Sequence, residues 1–239
     1  MRKPWVGRLA AALVGAAMAA PVMAADAVVF DLSVRGIKAG TLTFTGDAGG
    51  GRYEVKGRLE SAGLVGMLRK VRYDGQADGA LKGEKFTPAR YFEKADTGKR
   101  QSESVMEYRR GVPQIKVYNP PRAPGEGGLD PATQGGTVDP LTAMYAALRD
   151  VPAGQECNKK LVLFDGKRRT QVVLGKPRAT DAGVSCAGEY RRLEGFSADD
   201  MAEKSRFPFT LYLQPEGGQM RVTEVAMESI YGNAKLIRR

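Results

Sequence analysis

The chain contains no histidine, and that gap removes several chemistries together. Without an imidazole there is no Ser-His-Asp triad, no Cys-His nucleophile pair and no histidine-based zinc or iron site. Cysteine is almost as scarce, with Cys157 and Cys186 the only two. They lack the Cys-x-x-Cys spacing of a redox pair with a lowered thiol pKa, and an oxidising compartment favours joining them in one structural bridge. The closed loop of about 30 residues corresponds to a chain-entropy stabilisation of ~3.6 kcal/mol. Neither the Gly49–Gly51 run nor the Gly125–Gly128 run is followed by the Lys-Ser/Thr of a phosphate-cradling loop. Asp74-Gly75-Gln76-Ala77-Asp78-Gly79 holds two acids among glycines without the other ligands of an EF-hand, and reads as a turn. No metal or cofactor is therefore expected. Aromatics do not interleave with the basic pairs, which argues against a nucleic-acid partner.

Long apolar runs are also missing, except at the start. Arg2, Lys3 and Arg8 introduce an uncharged stretch from Leu9 to Val22, followed by the small residues of Met23-Ala24-Ala25-Asp26. That is the pattern of a secretory signal peptide, and the run is short of the ~20 residues that span a bilayer. Residues 1–24 are expected to be removed, leaving residues 25–239 as a single β-rich domain. No Cys follows the cut to carry a lipid anchor. No later stretch is apolar enough to span a membrane as a helix. The charged alternation of the strands also lacks the clean outer face of an outer-membrane barrel. The expected address is the periplasm, with no integral membrane span after processing. Losing the three leader cations takes the formal charge from +10 to +7. A basic balance invites polyanions, which outside the cytoplasm means anionic lipid head groups and envelope polymers. A solvated basic surface with no partner is the plainer account.

What is present is alternation. Val28, Phe30, Leu32 and Val34 share one face of a strand, Leu42 and Phe44 of a second, and Tyr53, Val55 and Leu59 of a third. Ser61–Lys70 departs from period two and reads as one or two helical turns. Further strands are expected at Val71–Tyr73, Lys85–Thr87, Arg90–Glu93, Ser102–Arg109, Gln114–Tyr118, Lys160–Phe164, Thr170–Leu174, Val184–Phe196, Phe207–Leu213, Met220–Ser229 and Ala234–Ile237. Asn119–Asp139, rich in Pro and Gly, reads as an irregular loop or an approach to a site. Ser197–Arg206 reads as a polar loop or one helical turn. One helix is well signalled: Asp139 as N-cap, Pro140 at the first helical position, and Leu141, Met144, Tyr145 and Leu148 on one stripe. That stripe packs on the sheet or forms a lid over a cavity. Eleven to thirteen antiparallel strands in one sheet tend to curl. The expected fold is mainly β, a large curved antiparallel sheet forming a half-open barrel around one main helix. A two-sheet sandwich is the alternative.

Candidate functional groups are few. Lys160, Arg168, Arg169, Arg191 and Arg192 fall on strands expected to be neighbours, and together would make a patch for phosphate or carboxylate groups. Successive side chains on a strand point opposite ways, so at most half of each pair shares a face; edge charges that block aggregation explain them equally well. Carboxylates for a glycosidase-like pair exist on paper at Glu54, Glu60, Glu194, Asp199, Asp200 and Glu203, but periodicity points most of them to solvent.

The order of landmarks resembles a known family. Phe30-Asp31-Leu32, Gly36, Ala39-Gly40, Tyr53-Glu54-Val55, Gly79 and Pro88-Ala89-Arg90-Tyr91 come first. Asp139-Pro140-Leu141-Thr142-Ala143-Met144-Tyr145, Phe164-Asp165-Gly166, Cys186, Tyr190-Arg191-Arg192-Leu193 and Phe207-Pro208 follow. The chain is similar to exported bacterial proteins grouped as domain of unknown function 3108. The resemblance implies a signal-bearing periplasmic domain of mostly antiparallel β structure, akin in shape to the half-barrel lipoprotein carriers of the envelope. It also implies the Cys157–Cys186 pairing, and no catalytic residues. Three functions are then in play. The first is a non-catalytic binding or carrier module for a lipid or other amphiphilic envelope ligand. The second is a structural or assembly factor acting on an envelope protein. The third, less supported, is a glycan-acting enzyme using paired carboxylates.

Overall fold

A computed structural model describes residues 27–68, 70–121 and 127–239 of the 239-residue chain. The expected leader, residues 1–24, lies outside them. The first half of the domain is a meander of β1 (Val28–Val34), β2 (Ile37–Gly49), β3 (Arg52–Ser61), β4 (Arg72–Lys82), β5 (Lys85–Asp96), β6 (Gln101–Arg109) and β7 (Val112–Asn119). The second half is a meander of β8 (Lys160–Phe164), β9 (Arg169–Thr180), β10 (Gly183–Glu194), β11 (Arg206–Glu216), β12 (Gln219–Ser229) and β13 (Gly232–Arg238). Two-residue turns such as Arg35-Gly36 and Gly50-Gly51 reverse the chain with positive φ at both positions. Their twist matches that of the flanking strands.

β1 pairs with β13 as well as with β2, from Phe30 opposite Arg238 to Val34 opposite Ala234. The two meanders thereby join into one 13-stranded antiparallel sheet in the order β7-β6-β5-β4-β3-β2-β1-β13-β12-β11-β10-β9-β8. The sheet curls into a half-open barrel and does not close: β7 and β8 are its edges. It is one sheet and not the two of a sandwich. Two short helices, α1 (Gly63–Leu68) and α3 (Ala198–Glu203), connect strands at one end.

Helix α2 (Pro140–Leu148) fills the concave side. Asp139 caps it, accepting from the Thr142 backbone N–H at 2.8 Å and from the Thr142 hydroxyl at 2.6 Å. The helix lies on a track of strand glycines, Gly46, Gly57 and Gly75. A Cβ on Gly46 would meet the Tyr145 ring at 2.5 Å, and one on Gly57 would meet Leu141 at 2.8 Å. Tyr145 and Leu148 are buried, Leu141 and Met144 half-buried, and Thr142, Ala143 and Ala146 are buried too. One continuous core runs from Phe30, Phe44 and Val55 through the helix to Leu174, Leu211 and Val222. Cys157 and Cys186 are joined, tying the approach to β8 onto β10.

Two sequence readings change. Asp74–Gly79 is strand interior, within β4, because Gly75 and Gly79 give room to Leu141 and Tyr53. Pro88 does not break its strand; β5 continues through it with a shift of register against Asp78 and Gly79.

Candidate functional site

The open seam between β7 and β8 is spanned by a strap from the loop that joins them. The Leu129 backbone N–H donates to the Lys167 carbonyl at 3.0 Å, Gly136 to Gly111 at 2.9 Å and Val138 to Val162 at 2.9 Å. A short 3-10 turn at Pro131–Thr133, capped by Asp130, lies against β7. After α2, Val151 exchanges backbone hydrogen bonds with Met220. Residues 122–126 of the proline- and glycine-rich run lie outside the described residues.

Where the strap enters α2, the two meanders face each other across a cleft of about 480 Å³. One wall carries Tyr73, Glu93, Arg100, Ser102, Ser104 and Tyr118. The other carries Asp165, Lys167, Arg168, Thr170 and Tyr190, and Pro140 of α2 and Leu163 of β8 also line it. The turn after β8 positions two of the cations: the Asp165 carboxylate accepts from the Lys167 and Arg168 backbone N–H groups at 2.8 and 2.7 Å. Arg168 stacks over the Phe196 ring. Arg100 lies over Tyr118, whose hydroxyl it also contacts. None of Arg100, Lys167 and Arg168 is in an ion pair with a described residue. Glu93 accepts from the Tyr91 hydroxyl at 2.6 Å. Burial pushes the Glu93 carboxyl above its usual range, the Tyr91 hydrogen bond opposes this, and Asp165 nearby adds to the rise. The cleft thus offers cations, hydroxyls and aromatic faces, with one of its two acids biased toward the neutral form.

The family model described as a protein of unknown function (DUF3108) matches residues 29–228. The chain belongs to the DUF3108 family. Its fold is similar to the crystal structure of a beta-barrel-like protein of domain of unknown function DUF1849 from Brucella abortus. The two share 17% identity at a TM-score of 0.53, over 90% of this chain and 96% of that one. No curated protein matches.

In this DUF3108 chain the five basic residues expected to cluster are divided. Arg168 and Arg192 both approach the Phe196 ring. Arg191 instead lies beside Gln171 and Glu189, which also accepts from Arg206. Arg169 donates to Gln134 at 3.1 Å, and Lys160 is exposed on β8. Only Arg168 of the five lines the cleft. Arg100, Lys167, Glu93 and Asp165 are brought to it by the curl of the sheet. The acids weighed as a glycosidase pair are scattered: Glu54 pairs with Lys56, Glu203 with Arg192, and Asp200 forms the capping box of α3 with Ser197. Asp165-Gly166-Lys167, an Asp-Gly turn between the strands expected at Lys160–Phe164 and Thr170–Leu174, carries a local hairpin signal, but the facing of β5 and β6 across the seam has no local signature.

Proposed function

We propose that this is an exported, periplasmic, non-catalytic binding module that takes the anionic head group of an envelope amphiphile in the seam cleft. The observation that carries the reading is the set of Arg100, Lys167 and Arg168, three cations on one cleft without ion-pair partners there. Charge-assisted hydrogen bonds to phosphate or carboxylate oxygens are about twice as strong as neutral ones, and Ser102, Ser104 and Thr170 supply hydroxyls to the same group. Because α2 occupies the concave core, the apolar part of such a ligand rests at the cleft mouth, against Tyr73 and Tyr190. A barrel-like fold, a disulfide and the leader expected at residues 1–24 support the same setting. The covered edges of β7 and β8 give an assembly factor that works by strand addition less to use.

Delipidated protein titrated with a fluorescent fatty-acid analogue is expected to bind saturably. Arg100→Ala with Lys167→Ala should weaken binding by at least about tenfold, the loss of one to two charge-assisted bonds. Absence of saturable binding, or unchanged binding by the double variant, overturns the reading.

A further inference from the structure

Three segments meet at the end of the barrel where the N-terminus of α2 lies. The β1–β2 turn and the β12–β13 turn are neighbours: the Arg35 backbone N–H donates to the Asn233 carbonyl at 2.8 Å, and the Arg35 side chain runs beside Gly232. Helix α1 packs on the start of β2, with the Ala62 backbone N–H donating to the Ala39 carbonyl at 3.0 Å and Gly63 against Lys38. From this rim four large apolar side chains project into solvent: Met67 is 76% exposed, Tyr231 69%, Ile37 53% and Ile230 39%. Scattered exposed apolar residues are ordinary; four on adjoining turns at one end are not scattered.

Within the turns themselves the charge has one sign, while the acids Glu60, Asp74 and Glu228 stand just beyond them on the strands. Segments 34–39, 62–68 with 70–73, and 229–235 contain Arg35, Lys38, Lys70, Arg72 and Lys235, and not one Asp or Glu. Lys38 and Lys235 each hold an acid from a neighbouring strand, Asp31 and Glu224; Arg72 holds Asp74. Arg35 and Lys70 are in no ion pair with a described residue. An apolar tip ringed by Lys and Arg matches one surface chemically, the interface of a bilayer containing anionic lipid: the apolar groups enter below the head groups while the cations meet the phosphates. The aromatic ring of Tyr231 suits the same depth, with an apolar body and a polar tip.

We propose that this rim docks the protein on an anionic membrane surface through Ile37, Met67, Ile230 and Tyr231. None of the four lines the seam cleft, so the docking stands apart from the head-group reading. α1 leads directly into β4, whose Tyr73 does line the cleft. Docking by the rim therefore brings the cleft mouth close to the lipid head groups.

The test is sedimentation of the purified mature protein, with the leader expected at residues 1–24 removed, with vesicles of phosphatidylglycerol and phosphatidylethanolamine, against vesicles of phosphatidylcholine alone. Partitioning to the anionic vesicles is expected to be at least about tenfold stronger, and to fall with salt. Ile37→Asp with Tyr231→Asp should remove most of it while the circular-dichroism spectrum stays that of the parent, since both positions are exposed. Trp5, the sole tryptophan of the sequence, lies in the expected leader, so Tyr231→Trp gives the mature protein a single reporter, whose emission should shift to the blue on anionic vesicles only. Ile37→Asp with Tyr231→Asp should leave the fluorescent fatty-acid titration as it is in the parent, since neither residue lines the cleft, which separates this proposal from the fate of the head-group reading. Equal partitioning to both vesicle types, undiminished partitioning of the double Asp variant, or unshifted emission from the Tyr231→Trp protein would each overturn it.

Discussion

Asp139 shows how one residue links local signal, packing and pH. It is fully buried at the start of α2 and held by Thr142, whose hydroxyl in turn accepts from Tyr53 at 2.8 Å. Burial is the main cause that lifts its carboxyl to about 6, against hydrogen bonds that pull it down. The unfolded chain releases this proton near pH 3.9. Between about pH 4 and 6 the folded protein therefore holds a proton the unfolded one has lost, so stability falls as pH rises through that window and the loss is complete above it. Asp139→Asn keeps an amide oxygen for the cap and cannot ionise. Urea midpoints measured from pH 4 to 7 should show the parent losing ground to this variant by on the order of 2–3 kcal/mol as the pH climbs. Asp139→Ala loses the cap and should cost about 1 kcal/mol at pH 5. Glu93 is lifted in the same direction by burial. Anion binding in the cleft is expected to strengthen as falling pH neutralises it. Glu93→Gln should bind more tightly at pH 7.5 and lose that pH dependence in the same fluorescence titration. The cap was legible because Asp-Pro before an apolar stripe is a local signal; the burial of Asp139 was not, because its surroundings include Tyr53, Tyr91 and Tyr108, brought near it from β3, β5 and β6.

At the scale of elements, the alternation of apolar residues was enough to place most strands, and the turn glycines most hairpins. The glycines that seat the helix gave no such warning. Gly46, Gly57 and Gly75 lie on three different strands, and only register brings Gly57 opposite Gly75 and next to Phe44. In the linear sequence they look like turn or weak-strand residues. Their use is spatial: Leu141 sits where the Gly57 and Gly75 side chains would be. Gly57→Ala is thus expected to destabilise by about 1–3 kcal/mol through overpacking. Adding Leu141→Ala should recover part of that loss, although Leu141→Ala alone destabilises. A double-mutant cycle in urea should show a favourable coupling of at least about 0.5 kcal/mol, the range for side chains in contact. Additive effects would mean that the helix does not rest on this track.

At the scale of the molecule, closure comes from pairing the two ends of the domain. A curved sheet and a central helix could be inferred from strand count and one amphipathic stripe. That β1 joins β13 in the middle, leaving the seam between β7 and β8, could not, because nothing local distinguishes a central strand from an edge strand when both alternate. The Phe30–Arg238 pairing closes nearly the whole chain into one loop, at roughly 5 kcal/mol of loop-closure entropy. That cost is offset only when β13 also completes the core over Phe30 and Val225. Strand β13 is therefore a keystone despite being last in sequence. A chain ending at Ser229 leaves β1 and β12 as raw edges and splits the core along its middle, whereas loss of a true edge strand would trim one side. The truncated protein should lack the near-ultraviolet circular dichroism of the parent and melt without a cooperative transition, while the full chain unfolds in a single one. If it instead kept a sharp transition, the two meanders would be independently stable lobes, and the shared core around α2 would contribute far less than its burial implies.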